Sequence, residues 1–238
     1  MSQRHNGFEL RSRGNGTANQ AQRLPAGDFS SWLRQTRTAL RDDSGADVAC
    51  GECTGCCSSS YFIQIGPEET KTLARIRKDL LVPAPGQATG HLLMGYDEHG
   101  LCPMLVSGKC SIYQQRPQTC RNYDCRVFTA AGIDAGGDDK ATINRRVRLW
   151  AFSYPTQRDR KEHDAVRAAA RFLQEHASSF PEGRVPHNPT ELAILAIKVY
   201  DVFLRKRRSV NAAGSALSNA DIAKAIVDQS KEFDARAQ

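Results

Sequence analysis

The pattern of apolar and polar positions divides the chain into two unlike halves. From Lys140 onward, apolar residues recur at helical spacing, and Lys140–Phe152, Arg158–Ser178, Pro189–Arg208 and Asn219–Phe233 are predicted as helices punctuated by Pro181, Pro186 and Pro189. The first half is less regular. Asp28–Arg41 reads as a short amphipathic helix, capped by Asp28 or Ser30, with Trp32, Leu33 and Leu40 toward one face. Asp42–Ala49 is a polar connector, and Tyr61–Ile65 is a short β-prone run. Gly66-Pro67-Glu68-Glu69 then marks a helix start, and Leu73, Ile76 and Leu80 carry that helix to a stop before Pro83. After a Pro/Gly loop over Val82–Gly90, Leu92–Tyr96 is expected to turn through Asp97–Gly100 into Leu101–Val106 as a hairpin. Gly108–Tyr113 would add a third short strand.

These elements predict an α+β protein: a small, irregular, Cys-rich module with short strands, wrapped by helices that come mostly from a helical C-terminal half. The expected division is a disordered basic leader over 1–27, a Cys-rich domain with its N-terminal helix over 28–130, and a helical region over 131–238 packing on it. No repeat of fixed period is present. The most apolar stretch, Leu192–Leu204, is interrupted by Lys198 and Asp201 and is too short to span a bilayer, so a buried helix is expected and no membrane contact.

Composition sharpens this picture at one point. With 238 residues and 40% hydrophobic content the chain can bury a core without covalent help, yet all 8 cysteines lie between Cys50 and Cys125. Clustering of that kind argues for a site. The N-terminal residues lack a basic region followed by an apolar run and a cleavage site, which places the expected location in the cytoplasm. There thiols stay reduced, and thiolate ligation is favoured over a disulfide framework. The net charge of +7 is uneven: the leader and the C-terminal part are basic, while the region 46–130 is balanced. Arg205-Lys206-Arg207-Arg208 closes an apolar helix, where cations suit the dipole; nucleic-acid contact is the lesser reading, because no aromatics interleave the charges.

Cys50, Cys53 and Cys56 form C-x2-C-x2-C in a Gly-containing loop, a spacing that aims several sulfurs at one point. It is the spacing found around [4Fe–4S] clusters, where a distant Cys-Pro often adds a ligand, and Cys102-Pro103 has that form. Zinc competes, although Cys102, Cys110, Cys120 and Cys125 do not supply a second C-x2-C knuckle. All-sulfur donors leave iron–sulfur and zinc both open. Cys56 and Cys57 are adjacent, and neighbouring side chains diverge in an extended chain, so both are not expected to serve one metal.

The run Cys50-x2-Cys53-x2-Cys56-Cys57, then Cys102-Pro103-x-Leu105, then Cys110-x-Ile112-Tyr113-x2-Arg116-Pro117-x2-Cys120-Arg121 resembles the YkgJ-type cysteine-cluster proteins, named for a zinc- or iron-chelating domain. The resemblance covers about Cys50 to Cys125 and implies that Cys50, Cys53, Cys56, Cys57, Cys102, Cys110 and Cys120 occupy the family's cysteine positions, with Cys125 the least secure. It implies a metal-binding protein with a thiolate-ligated zinc or iron–sulfur centre in a structural or redox role. The domain also resembles part of the flagellin lysine methylases, which raises the alternative of a metal-dependent protein-modifying enzyme. The sequence supports this alternative weakly, since a radical-type C-x3-C-x2-C triad is missing and Ala131–Gly137 reads as a loop and not a cofactor cradle.

Other candidates are weighed against ordinary roles. Arg116 would offset thiolate charge or pair with Asp124. Tyr113 and Tyr123 would shield the centre or simply pack. His91 and His99 lie between the cysteine groups and are read first as exposed histidines, and His163, His176 and His187 as surface residues. Nothing in the sequence names a partner.

Overall fold

The computed structural model describes residues 23–42, 45–46, 48, 52–181, 185–206 and 217–235, with no side-chain description at 205–206. The leader up to residue 22, Cys50, and the side chains of the Arg205–Arg208 run lie outside the described residues.

The architecture is mixed, with short strands in small sheets and a helical C-terminal half. Strand β1 (Leu24–Asp28) leads directly into helix α1 (Phe29–Asp42), which buries Phe29, Trp32, Leu33 and Thr36, one face at helical spacing. The expected leader reached residue 27, but its last residues are this strand. β1 pairs in parallel with β7 (Trp150–Ser153), and a bulge between Pro25 and Gly27 accommodates Ala26, which is fully buried. The pairing joins segments more than a hundred residues apart, which local pattern does not encode.

The cysteine-bearing part is built from β2 (Ile63–Ile65), α2 (Thr70–Leu73), β3 (Leu81–Pro83), β4 (Leu92–Met94), β5 (Leu105–Val106), β6 (Lys109–Cys110) and α3 (Gln118–Asn122). The long helix expected after Glu69 is one turn, followed by a 3-10 turn at Lys78–Leu80. Its apolar positions still face inward, with Ile76 buried and Leu73 and Leu80 packed beside it, but pairing of Leu81–Pro83 with β4 draws the chain into extended form. The expected hairpin is also rearranged. β4 lies between β2 and β3, and Asp97 closes the turn by accepting the N–H groups of His99 and Leu101. The chain after that turn runs to Cys57 instead of back along β4. β5 and β6 form the real second hairpin, through Ser107 and Gly108, both at positive φ.

The C-terminal half supplies α4 (Arg126–Ala131), α5 (Ala141–Leu149), α6 (Gln157–Glu175), α7 (Pro189–Val199), α8 (Asp201–Lys206) and α9 (Asn219–Ala235). Thr156 and Asp159 form a capping box at α6, and Asn188 with Pro189 starts α7, as local rules require. These helices, α1 and β7 enclose the main core, centred on Phe29, Phe128, Val166, Leu173, Ile197 and Ile222. A second, much smaller core consists of Ile65, Ile76, Met94, Met104 and Ile112. No helix among the described residues is long and apolar enough to cross a membrane.

Asp124 is the main polar junction in this fold. It is buried, accepts the Trp32 Nε1–H at 2.9 Å and pairs with Arg126 at 2.8 Å, so it holds α1 against the start of α4. His163, expected at the surface, is instead buried, with its ring stacked on Phe29 at 4.3 Å and Nδ1 2.7 Å from the Tyr154 hydroxyl. Burial and the nearby Arg167 push its pKa down to about 4, against weaker opposing contributions from the Thr129 and Ala130 carbonyls and Asp164.

Two outcomes follow. Asp124→Ala leaves a buried indole N–H unpaired and the Arg126 guanidinium without its counter-charge, and is expected to cost about 3–5 kcal/mol of stability, read by chemical denaturation; a loss under 1 kcal/mol would remove Asp124 from this role. For His163 the folded state resists protonation, so the unfolded chain binds the extra proton between the ordinary value of 6.5 and about 4. Stability is therefore full above that window and falls as pH drops through it, by on the order of 3 kcal/mol for this group. Denaturation midpoints across the window check this, and His163→Phe should flatten most of the slope.

Candidate metal centre

The loop that carries Cys53, Cys56 and Cys57 is held by its own backbone and by α5. The Gly55 N–H points at Cys53 Sγ, 3.4 Å away. A Cβ at Gly55 would stand at ordinary contact distance, 3.4 Å from that sulfur and 3.6 Å from the Ile143 backbone, which shows how closely α5 packs on the loop. Ser59, fully buried, donates to the Gly55 carbonyl at 2.6 Å and accepts the Ile143 N–H at 3.3 Å. That hydroxyl serves the first turn of α5, which has no side-chain cap of its own. Lys140 Nζ adds a bond to the Ser60 carbonyl.

The other cysteines are brought to this loop by separate ties. Cys102 donates its N–H to the Cys57 carbonyl at 2.7 Å, the most direct link between the two cysteine segments. The N–H groups of Met104 and Leu105 favour the Cys102 thiolate, as amides around ligated sulfur do. Cys110 sits on β6 opposite Leu105. Cys120 lies in α3, whose start is anchored by Glu69: this carboxylate accepts the Gln118 N–H at 2.7 Å and the Gly66 N–H at 3.1 Å. Thr119 fastens the same helix to the Gln64 carbonyl.

The result is a cavity of about 380 Å³ bordered by Cys53, Cys56, Cys57, Cys102, Cys110 and Cys120. Lys109, Arg116 and Arg121 also border it, facing one acid, Glu52. A smaller space of about 70 Å³ adjoins four of these cysteines and is walled by Tyr61 and Tyr123, whose hydroxyls are 3.0 Å apart. Tyr61 had no distinguishing signal in the sequence; its pairing with Tyr123 appears only in three dimensions. A larger groove of about 670 Å³ along α6 and α8 is lined by no cysteine, so donor chemistry and not size identifies the site.

Six of the eight expected ligands thus share one cavity, and Cys50 lies outside the described residues. Cys125 is placed elsewhere. It is buried in the main core with the Trp150 indole N–H 3.1 Å from its sulfur, and it does not line the cavity. The divergence expected for Cys56 and Cys57 is overturned, because the Cys56–Ser58 segment is a 3-10 turn and not extended chain; the two thiols hydrogen-bond and both face the cavity. Asp124 pairs with Arg126 and not with Arg116, whose guanidinium lies 4.2 Å from the Tyr113 ring centroid. His91 bonds to the Ala88 carbonyl and His99 stands exposed beside Glu98; neither lines the cavity.

Electrostatics confirm that the thiols sense one another. Cys56 is pushed well above the ordinary thiol value, first by its bond to Cys57 and then by burial. Burial raises Cys102, and raises Cys120 to about 12 with help from Cys56, Cys102 and Cys110, while Arg116 opposes. Among the described residues no three His, Cys, Asp or Glu side chains are grouped tightly enough to hold an ion as they stand. The donor set nonetheless fits a soft metal: all sulfur, amide N–H groups directed at two of the sulfurs, and cations at the rim to offset thiolate charge.

Searches of curated proteins and of solved structures matched nothing. A family model described as "CxxCxxCC: Putative zinc- or iron-chelating domain" matches residues 49–145, running past Cys125 to take in α4 and the start of α5, which clamps the cysteine loop. Residues 49–145 are therefore similar to a zinc- or iron-chelating cysteine-cluster domain, a likeness that supports metal binding.

Proposed function

We propose that Cys50, Cys53, Cys56, Cys57, Cys102, Cys110 and Cys120 supply thiolates to a zinc or iron–sulfur centre, and that its first role is to hold the cysteine module together. The observation that carries this reading is the convergence of cysteines from four separate segments on one cavity, around a core of only five buried apolar side chains. So small a core stabilises little by itself, and domains of that kind depend on metals or other cross-links. Ligation ties the Cys53–Cys57 loop to β6 and α3, closing loops of tens of residues, so metal binding and folding are linked.

More than four thiols border the cavity, which exceeds the ligand set of a single tetrahedral zinc and suits a polynuclear centre or two adjacent ones. Either centre with its thiolates is net negative. Lys109, Arg116 and Arg121 offset that charge, and Tyr61 and Tyr123 limit water on the side toward the main core. An iron–sulfur cluster would add electron transfer; zinc would leave the role structural.

Protein purified without oxygen is expected to carry stoichiometric zinc or iron, read by elemental analysis, with a brown absorption if the metal is an iron–sulfur cluster. Cys53→Ser, Cys102→Ser and Cys120→Ser should each lower metal content, whereas Cys125→Ser should leave it intact. Metal content unaffected in the first three would remove the cavity as the site. Hydrogen exchange on metal-replete and metal-stripped protein tests the structural role: protection over 52–120 should fall sharply on stripping, while α6, α7 and α9 keep theirs. Equal protection in both states would show a self-sufficient module.

A further inference from the structure

Away from the cysteines, α1 presents Arg34, Arg37 and Arg41 at spacings of three and four, hence along one face. A cavity of about 140 Å³ lies where this face meets α6 and the end of α7. Its lining brings those three arginines together with Arg158, Ser30, Tyr200 and one buried carboxylate, Glu162. Among the described residues two carboxylates pair with this cluster: Asp201, 3.2 Å from Arg37, and Glu162, 2.8 Å from Arg158.

Structural bracing explains Arg37. Its Nη1 donates to the Ile197 and Lys198 carbonyls at 2.9 and 3.0 Å, the orphan acceptors at the end of α7, and its guanidinium lies over the Tyr200 and Phe233 rings. Bracing does not explain the rest. Arg41 Nε is out of contact with solvent and has no hydrogen-bond partner among the described residues, although its guanidinium lies 4.4 Å from the Phe233 ring; the enclosed Ser30 hydroxyl instead bears on the Asp159 carboxylate. Buried donors left in that condition carry an uncompensated desolvation penalty. Burial holds the Arg37 pKa below its ordinary value; Asp201 and Tyr200 oppose this, and Arg41 adds a smaller like-charge repulsion.

We propose that this cavity is a binding site for a tetrahedral oxyanion of the phosphate type, either inorganic phosphate or the phosphoryl end of a small phosphomonoester. Four guanidinium groups against the Asp201 and Glu162 carboxylates that pair with them and the nearby Asp159 leave the cavity net positive, which favours an anion. The volume equals roughly four to five waters, which fits one phosphoryl group and leaves no room for a nucleotide. Guanidinium forks match its oxygens two at a time. Arg158, largely exposed, stands at the rim, whereas Arg37 is mostly covered, so an anion can enter from solvent and meet fixed charge below. Once bound it would bridge α1 to α6 and α7, stabilising the helical body by mass action.

The test uses the full chain with its metal as purified, titrated with inorganic phosphate and, separately, glycerol phosphate, with sodium chloride holding ionic strength constant. Calorimetry should show saturable binding, and thermal unfolding should shift upward with either phosphate but not with chloride alone. Tighter binding of glycerol phosphate would identify an ester as the ligand, and tighter binding of inorganic phosphate the free ion. Arg41→Gln should weaken binding at least tenfold and abolish the thermal shift, while Arg145→Gln, an exposed arginine on α5, should change neither. Should Arg41→Gln fail to fold, the exposed Arg158→Gln provides the same reading. Absence of saturable binding overturns the proposal, as does binding that Arg145→Gln weakens as much as the cavity variants.

Discussion

Among the described residues, five buried apolar side chains, Ile65, Ile76, Met94, Met104 and Ile112, form the separate core of the cysteine-bearing segments. Apolar burial stabilises by roughly 1.5–3 kcal/mol for each fully covered side chain, which does not offset the entropy of ordering so long a stretch of chain. The remainder of the module follows from that shortage. Its segments are joined by single polar ties: Cys102 to Cys57, Thr119 to Gln64, Glu69 to the start of α3, and Ser59 to α5. At the centre of these ties stand thiols, where a larger domain would place leucines. A module so arranged is suited to a metal as its principal cross-link.

The main core stands in contrast, and Asp124 marks the boundary. Cys120, four residues before it, faces the cysteine-lined cavity; Cys125, one residue after it, is buried against Trp150. Between them the carboxylate of Asp124 holds Trp32 of α1 and Arg126 of α4. The short step from α3 to α4 therefore changes which core the chain serves. Tyr61 and Tyr123 lie at the same boundary, their hydroxyls bonded to each other beside Cys56, and they separate the thiols from the helices behind. A similar economy governs α1. One face carries Phe29, Trp32 and Leu33 into the core, while the next carries the arginines whose charge the surrounding carboxylates only partly neutralise.

Much of this was legible in the sequence wherever the signal is local. The C-terminal helices were marked by apolar periodicity and by the prolines between them; the caps the structure adds, Thr156 and Asn188, act within a few residues of the helix they start. The helix after Glu69 misled because Leu73, Ile76 and Leu80 satisfy helical spacing and short turns equally well; the choice was made by β4, which captures Leu81–Pro83. His163 misled for a related reason. Its neighbours in sequence are mostly polar, and its burial comes from Phe29, far away in the chain.

By itself the sequence determined that soft sulfur donors are concentrated in one stretch, and that a helical body accompanies them, because ligand spacing and helical periodicity are properties of neighbouring residues. Which donors share a cavity was a tertiary decision. The 3-10 turn aims both Cys56 and Cys57 inward, and the Asp124 junction places Cys125 in the core. The parallel pairing of β1 with β7 and the meeting of Arg158 with the arginines of α1 were likewise settled only on folding. These last two depend on contacts between segments more than a hundred residues apart, and a side chain's neighbours across such a distance are fixed by packing and not by local pattern.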